Sequence, residues 1–231
     1  MAVPKEARVA HVVDLTPTTR ILELEPTTRL DFVGGQYVIV NSGITLADGK
    51  LAKRAYSFLS ADERQERVVM AVRKMAGAAS DWMHTRVVGD VIPFSGPWGK
   101  WLADDAQPRR TLVLATDTGI TAALGLIRGS AFAPQRARAE LLWLVQDGSY
   151  FLPDDFVTAA LPDGPVFRRE PLPPVGHPER LAQAERVAAG ATGFDSVFLV
   201  GDGAVVCALR DRLFPEARVE TFFNHPARKS A

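Results

Sequence analysis

Thr111-Leu112-Val113-Leu114-Ala115-Thr116-Asp117-Thr118-Gly119-Ile120-Thr121 decides how the rest of the chain is read. The run Thr111 to Ala115 is apolar almost throughout, as expected of a strand buried on both faces. A glycine turn follows, and then a helix over Thr121 to Arg128. Strand, turn and helix in that order make the unit in which an open α/β sheet binds a nucleotide.

Towards the C-terminus the pattern repeats. Ala139 to Val145 is a second buried strand, Pro153 to Leu161 a helix, Val166 to Arg169 a third strand, and Pro171 to Pro178 a proline-rich loop. Glu179 to Ala189 is a helix with Ser196 to Val200 as the next strand, and Gly203 to Leu213 a helix before the last strand, Val219 to Phe223. Alternation of this kind predicts a parallel sheet with helices on both faces. Towards the N-terminus the character changes to short strands with turn signals between them. These are His11 to Leu15, Arg20 to Glu25, Gln36 to Val40 behind Gly34-Gly35, Ala55 to Leu59, Arg67 to Lys74 and Val87 to Phe94. They predict a small antiparallel β-barrel. A charged turn, Ala61 to Glu66, joins two of the strands, and one helix, Ser80 to Thr85 with Ser80 as N-cap, interrupts the set. The polar stretch Leu102 to Arg110 reads as a linker, so the expected division is residues 1–104 as barrel and 105–231 as Rossmann-like parallel α/β domain.

The 231 residues carry 27 Lys+Arg against 27 Asp+Glu, a balance that gives no reason to expect a nucleic acid partner. The N-terminus lacks the apolar run of a signal peptide, and no stretch of about 18 apolar residues suggests a membrane span. A cytoplasmic monomer is the expectation. Cys207 is the single cysteine and falls inside a helix, where a core position is expected; His11, His84, His177 and His225 share no ligand spacing, so no metal is expected. Redox chemistry would then fall to a bound organic cofactor.

Four short signals bear on such a cofactor. Arg54-Ala55-Tyr56-Ser57 could serve a flavin: an Arg fork for a phosphate, a Tyr ring for the isoalloxazine, and a Ser for the flavin edge. It could also be a plain strand. Gly77-Ala78-Ala79-Ser80 opens a helix, either as a turn that lets amides approach a pyrophosphate or as an ordinary capped start. Asp117 to Thr121, with Thr118, Gly119 and Thr121, and the later Val200-Gly201-Asp202-Gly203 each follow a buried strand, as phosphate or nicotinamide turns do and as simple turns also do.

In order and spacing these stretches, with Gly89-Asp90 and Gly96-Pro97-Trp98-Gly99 between them, resemble the ferredoxin–NADP reductase superfamily over residues 8 to 224. The resemblance implies a flavoprotein oxidoreductase. FAD, rather than FMN, would sit on Arg54, Ala55, Tyr56, Ser57, Gly77, Ala78, Ala79 and Ser80. Tyr56 and Ser57 would lie at the reacting ring. NADP or NAD would lie on Thr118, Gly119, Thr121, Gly201 and Asp202. Electrons would leave singly to a separate iron–sulfur or flavodoxin carrier. Phe167-Arg168-Arg169-Glu170 is similar to the bacterial-type segment whose Arg contacts the 2′-phosphate of NADP, although two arginines after a strand can simply solvate a loop. Asp147 could accept ribose hydroxyls or cap a turn. Phe223 could stack on the flavin or close an edge strand. The departures from the family pattern all lie in the nicotinamide half: Asp117 for glycine, Ala122 for proline, Val200 for cysteine and Asp202 for proline or serine. They leave open a non-catalytic flavin-binding subunit of a larger electron-transfer complex, or an interaction module that has lost flavin.

Overall fold

Alternation of aliphatic and polar residues along the first half produces an antiparallel sheet with one face inward. Its strands are β1 (Lys5–Thr16), β2 (Thr19–Pro26), β3 (Tyr37–Thr45), β4 (Leu51–Ser57), β5 (Val68–Arg73) and β6 (Val91–Trp98), in the order β4-β3-β6-β1-β2-β5. The structure, a computed structural model, describes residues 5–103, 108–146, 148 and 151–222. Val9, Leu22, Leu24, Val38, Val40, Met70, Val72, Ile92 and Phe94 fill the interior.

The sheet is barrel-like but does not close. β4 and β5 form its two ends, and the chain leaving β4 meets β5 where Leu59 N donates to Val69 O at 2.8 Å. The helix α1 (Ala78–His84) packs against β3, β4 and β5, and so covers the gap between the ends. It starts two residues before the expected helix, with Gly77 rather than Ser80 as its cap. Gly77 has φ 121°, a conformation open to glycine and strained for other residues. Ser80 lies inside the helix, where its Oγ accepts from Met75 N and donates to Arg73 O.

The second half is a parallel sheet of five strands: β7 (Thr111–Thr116), β8 (Ala139–Gln146), β9 (Val166–Leu172), β10 (Ser196–Asp202) and β11 (Arg218–Phe222), in the order β11-β10-β7-β8-β9. β9 runs three residues past the expected strand, into the stretch read as loop. Side chains alternate along β7. Leu112 and Leu114 face α4 (Arg180–Ala189) and α5 (Gly203–Arg212); Val113 and Ala115 face α2 (Ile120–Arg128), α3 (Asp154–Ala160) and a 3-10 segment, Ser130–Arg138, that sequence reading did not anticipate. Pro134 and a run of polar residues hide that segment from periodicity. Cys207, on α5, is half-buried rather than core.

The two halves share a core. Leu59, Ala71 and Trp101 of the first half pack among the α2-side residues of the second. Trp101 Nε1 donates to Arg218 O at 3.1 Å. The expected charged turn at 61–66 is part of this join: Asp62 accepts from Gly34 N at 2.9 Å and from Ser130 N at 2.8 Å, and Gln65 bonds both backbone groups of Phe32. The boundary expected between residues 104 and 105 lies outside the described residues, as do Asp147 and Phe223. Among the described residues no helix is long and apolar enough to cross a membrane.

Candidate functional site

In the parallel sheet the chain moves from β7 outward to β8 and β9, then returns to place β10 on the other side of β7. The switch point therefore lies between the carboxyl ends of β7 and β10, and crevices at such points bind ligands in open α/β sheets. The two turns named from sequence, at Asp117–Gly119 and at Gly201–Asp202, are the two lips of this crevice. They fit closely. A Cβ on Gly119 would lie 2.5 Å from Val200 O, and one on Gly201, at φ 129°, would overlap Thr116 O and Oγ1. Thr116 Oγ1 accepts from Asp202 N at 2.7 Å. Both glycines are thus required by the approach of one turn to the other. Thr121, expected as a ligand residue, spends its hydroxyl on Thr118 O at 3.0 Å.

Asp117 adopts φ 47°, a left-handed conformation uncommon outside glycine but tolerated by Asp. Its carboxylate does not point at empty space: one oxygen receives Gln146 N at 3.4 Å and the other receives Arg180 Nη2. Arg180 was not anticipated from sequence, where it reads as a charge at an exposed helix start. It is only 4% exposed. Its Nε also reaches Asp202 Oδ2 at 3.1 Å, and its Nη1 donates to Pro173 O at 2.5 Å. The signal that could have found it was the pair of carboxylates at positions where the resembling family has none, since partly buried carboxylates need a cation.

Arg168 and Arg169 lie on β9, two strands from the switch point. Arg168 is paired with Glu140 at 3.0 Å and Glu170 at 3.5 Å. Arg169 lies over the Trp143 ring, 5.8 Å from its centre, with Asp154 at 3.5 Å. Trp143 Nε1 in turn donates to Asp117 O at 2.9 Å, which connects Arg169 to the first turn.

On the antiparallel side, Arg54 to Ser57 occupy the end strand β4, next to α1. Ala55 is exposed and Arg54 half-buried. Tyr56 differs from the open, stacking ring expected: it is 7% exposed and packs in the barrel core. Its hydroxyl is buried without a hydrogen-bond partner, and burial pushes its pKa up to about 12 against the pull of Arg54. A phenol held neutral in this way can act as a donor, not as an acid or base near neutrality. Ser80 is buried, and its hydroxyl is committed within the chain, so the backbone rather than its Oγ is what this turn offers.

Two further groups face the join between the halves. Arg73, at the end of β5, lies 5.8 Å from the Phe151 ring centre; burial lowers its pKa, and Asp117 partly restores it. Glu220 of β11 has its pKa raised by burial; that of Tyr37, the β3 residue paired in register with Ser57, is raised by burial first and by the Glu220 charge second. Neither residue falls in a motif, which is why sequence reading passed over them. Among the described residues no cluster of His, Cys, Asp and Glu is arranged to hold a metal.

Residues 6–102 match the oxidoreductase FAD-binding domain family. The antiparallel half is therefore similar to FAD-binding domains. Over longer alignments the chain is similar to named reductases, in line with the superfamily its motifs resemble. It is 34% identical to ferredoxin–NADP reductase B of Sorangium cellulosum over 147 residues, 62% of this chain and 58% of that one. It is 31% identical over 145 residues to the reductase component DmpP of phenol 2-monooxygenase from Pseudomonas sp. strain CF600, covering 58% of this chain and 40% of that one. The matched region thus spans about half the length of these relatives. In fold it is similar to a ferredoxin NADP+ reductase from Neisseria gonorrhoeae solved with bound FAD and NADP, with a TM-score of 0.73 at 18% identity over 96% of this chain and 99% of that one.

The antiparallel half fits a flavin in one observable respect. A buried hydroxyl with no partner costs roughly 1–3 kcal/mol, and a bound acceptor at Tyr56 would remove that cost.

Proposed function

We propose that this protein is an NAD(P)H-dependent flavin reductase that passes electrons to a separate carrier. The observation that carries the reading is the pairing of a half similar to FAD-binding domains, through a shared core, with an α/β sheet whose switch point is bordered by two glycine turns. FAD, when bound, accepts hydride at its N5 and releases electrons one at a time. The chain's own part is positioning and charge. In this reading Arg54 holds a flavin phosphate, the Gly77–Ala79 backbone borders the pyrophosphate, and Ser57 and the Tyr56 hydroxyl fix the ring system. Thr118, Gly119 and Gly201 border the nicotinamide, Asp202 shapes its turn, and Arg169 meets a 2′-phosphate. The carrier in this reading is of iron–sulfur or flavodoxin type; the names of two relatives, a ferredoxin reductase and the reductase component of an oxygenase, support a separate electron acceptor.

The test is turnover with ferricyanide as a one-electron acceptor, using FAD-loaded protein and NADPH or NADH. Turnover with either nucleotide, lost in Arg54→Ala together with FAD retention on gel filtration, is the expected result. The Asp117–Arg180–Asp202 contact favours one alternative, a flavin-binding subunit whose second half serves for docking; FAD retention without turnover would select it.

A further inference from the structure

Arg180 joins the two places where the nicotinamide half departs from its resembling family. It reaches from the first turn of α4 across the carboxyl ends of β7 and β10 to Asp117 on one lip of the crevice and Asp202 on the other. Both carboxylates are fully engaged. Asp117 Oδ1 faces Gln146 N, and Asp202 Oδ1 caps α5 through Ala204 N at 2.9 Å; Arg180 takes the remaining oxygen of each. Arg73 lies near enough to Asp117 for the two charges to interact. With Arg180 in place, two carboxylates at the crevice are matched by two guanidinium groups. Without it, the crevice that borders the nicotinamide carries an uncompensated negative charge against an anionic dinucleotide, and like charges repel most strongly where water is scarce.

We propose that Arg180 is a positioning and screening residue of the nucleotide site, the group that allows two carboxylate-bearing turns to accept an anionic dinucleotide. This rests on the nicotinamide reading given above. It differs from a role as a simple strut, because a strut needs the shape of the fork and screening needs its charge.

The experiment is titration calorimetry of FAD-loaded protein with NADH and with NADPH, at salt from about 0.05 to 0.3 M. Arg180→Met is expected to weaken binding about tenfold or more, with affinity that improves as salt rises, because salt screens repulsion. The triple variant Arg180→Met, Asp117→Asn, Asp202→Asn removes the unmatched charge and is expected to bind within about threefold of the unaltered protein. Arg180→Lys, which keeps the charge and loses the fork, should do the same. If the single methionine variant does not fold, the triple and lysine variants decide alone. Binding by Arg180→Met equal to the unaltered protein at all salt concentrations would overturn the proposal and leave the nicotinamide reading intact, as would a triple variant that binds no nucleotide. An unaltered protein that binds neither nucleotide would overturn both, and binding that emerges only in Asp117→Asn, Asp202→Asn would make the arginine clamp a block.

Discussion

Tyr56 buries a phenolic hydroxyl with nothing to bond, and that makes its behaviour depend on whether flavin is present. Tyr56→Phe should raise the melting temperature of the flavin-free protein by about 2–4 °C, the equivalent of roughly 1 kcal/mol for a chain of this size. The same change should loosen FAD, so that flavin content after gel filtration falls. An unchanged melting temperature would mean that the hydroxyl is already satisfied. Arg168 and Arg169 separate in a similar way. Arg168 is held between two glutamates, whereas Arg169 lies over an aromatic face with one longer ion pair. Arg169→Ala should raise the KM for NADPH about tenfold and leave that for NADH nearly unchanged, and Arg168→Ala should do little to either. Equal changes with both nucleotides would remove Arg169 from the 2′-phosphate. The two arginines are adjacent in sequence, where the Arg-Glu pair of the resembling segment picks out Arg169; Glu140 and Trp143 on the neighbouring strand add a physical difference between them.

At the scale of elements, the contact between α2 and the antiparallel half depends on glycine. A Cβ at Gly125 would overlap Phe58 O, and one at Gly34 would lie 2.6 Å from Gly125 O. Gly125→Ala forces backbone apart and should cost about 1–3 kcal/mol or more in denaturant unfolding. Gly190 closes α4 with an ordinary φ of −75° and only Val187 O at 3.4 Å, so Gly190→Ala should be neutral or slightly stabilising. If the two substitutions proved equally mild, the close packing of the halves would be in doubt. The elements themselves were legible. Buried runs such as Thr111–Ala115 and Ser196–Val200 announce strands because no other use of such a run is stable beside short turns. The start of α1 was not, because Gly77 supplies its entry through backbone freedom while Ser80, the better cap by side chain, is used one turn further in. Nor was the role of Asp62 and Gln65. A charged turn looks solvated until the partner backbone, here at Gly34, Phe32 and Ser130, is brought to it by the fold.

For the whole molecule, the two halves share part of their core, and groups at their join bear on its response to pH. Glu220 has its pKa raised by burial, so the folded state holds its proton more tightly than the unfolded chain does. Its contribution to stability is full below the unfolded carboxyl pKa and is lost as pH rises through the folded value. Glu220→Gln should therefore raise the melting temperature at neutral pH, with a gain that vanishes in acid; a gain that grew in acid would reverse the assignment. The candidate flavin motifs could be named because they are local, with Arg54 to Ser57 on one strand and Gly77 to Ser80 at one helix start. The candidate nucleotide crevice could be named only in half, since the turns at Asp117 and Gly201 are local but the residue spanning them, Arg180, comes from a helix some sixty positions from one and twenty from the other. The central claim is that nicotinamide delivers electrons to flavin in this chain. Its most direct test is the anaerobic absorbance spectrum of FAD-loaded protein on adding NADPH or NADH. Bleaching of the flavin bands by at least one nucleotide is the predicted result. Bands that dithionite bleaches but neither nucleotide does would contradict it.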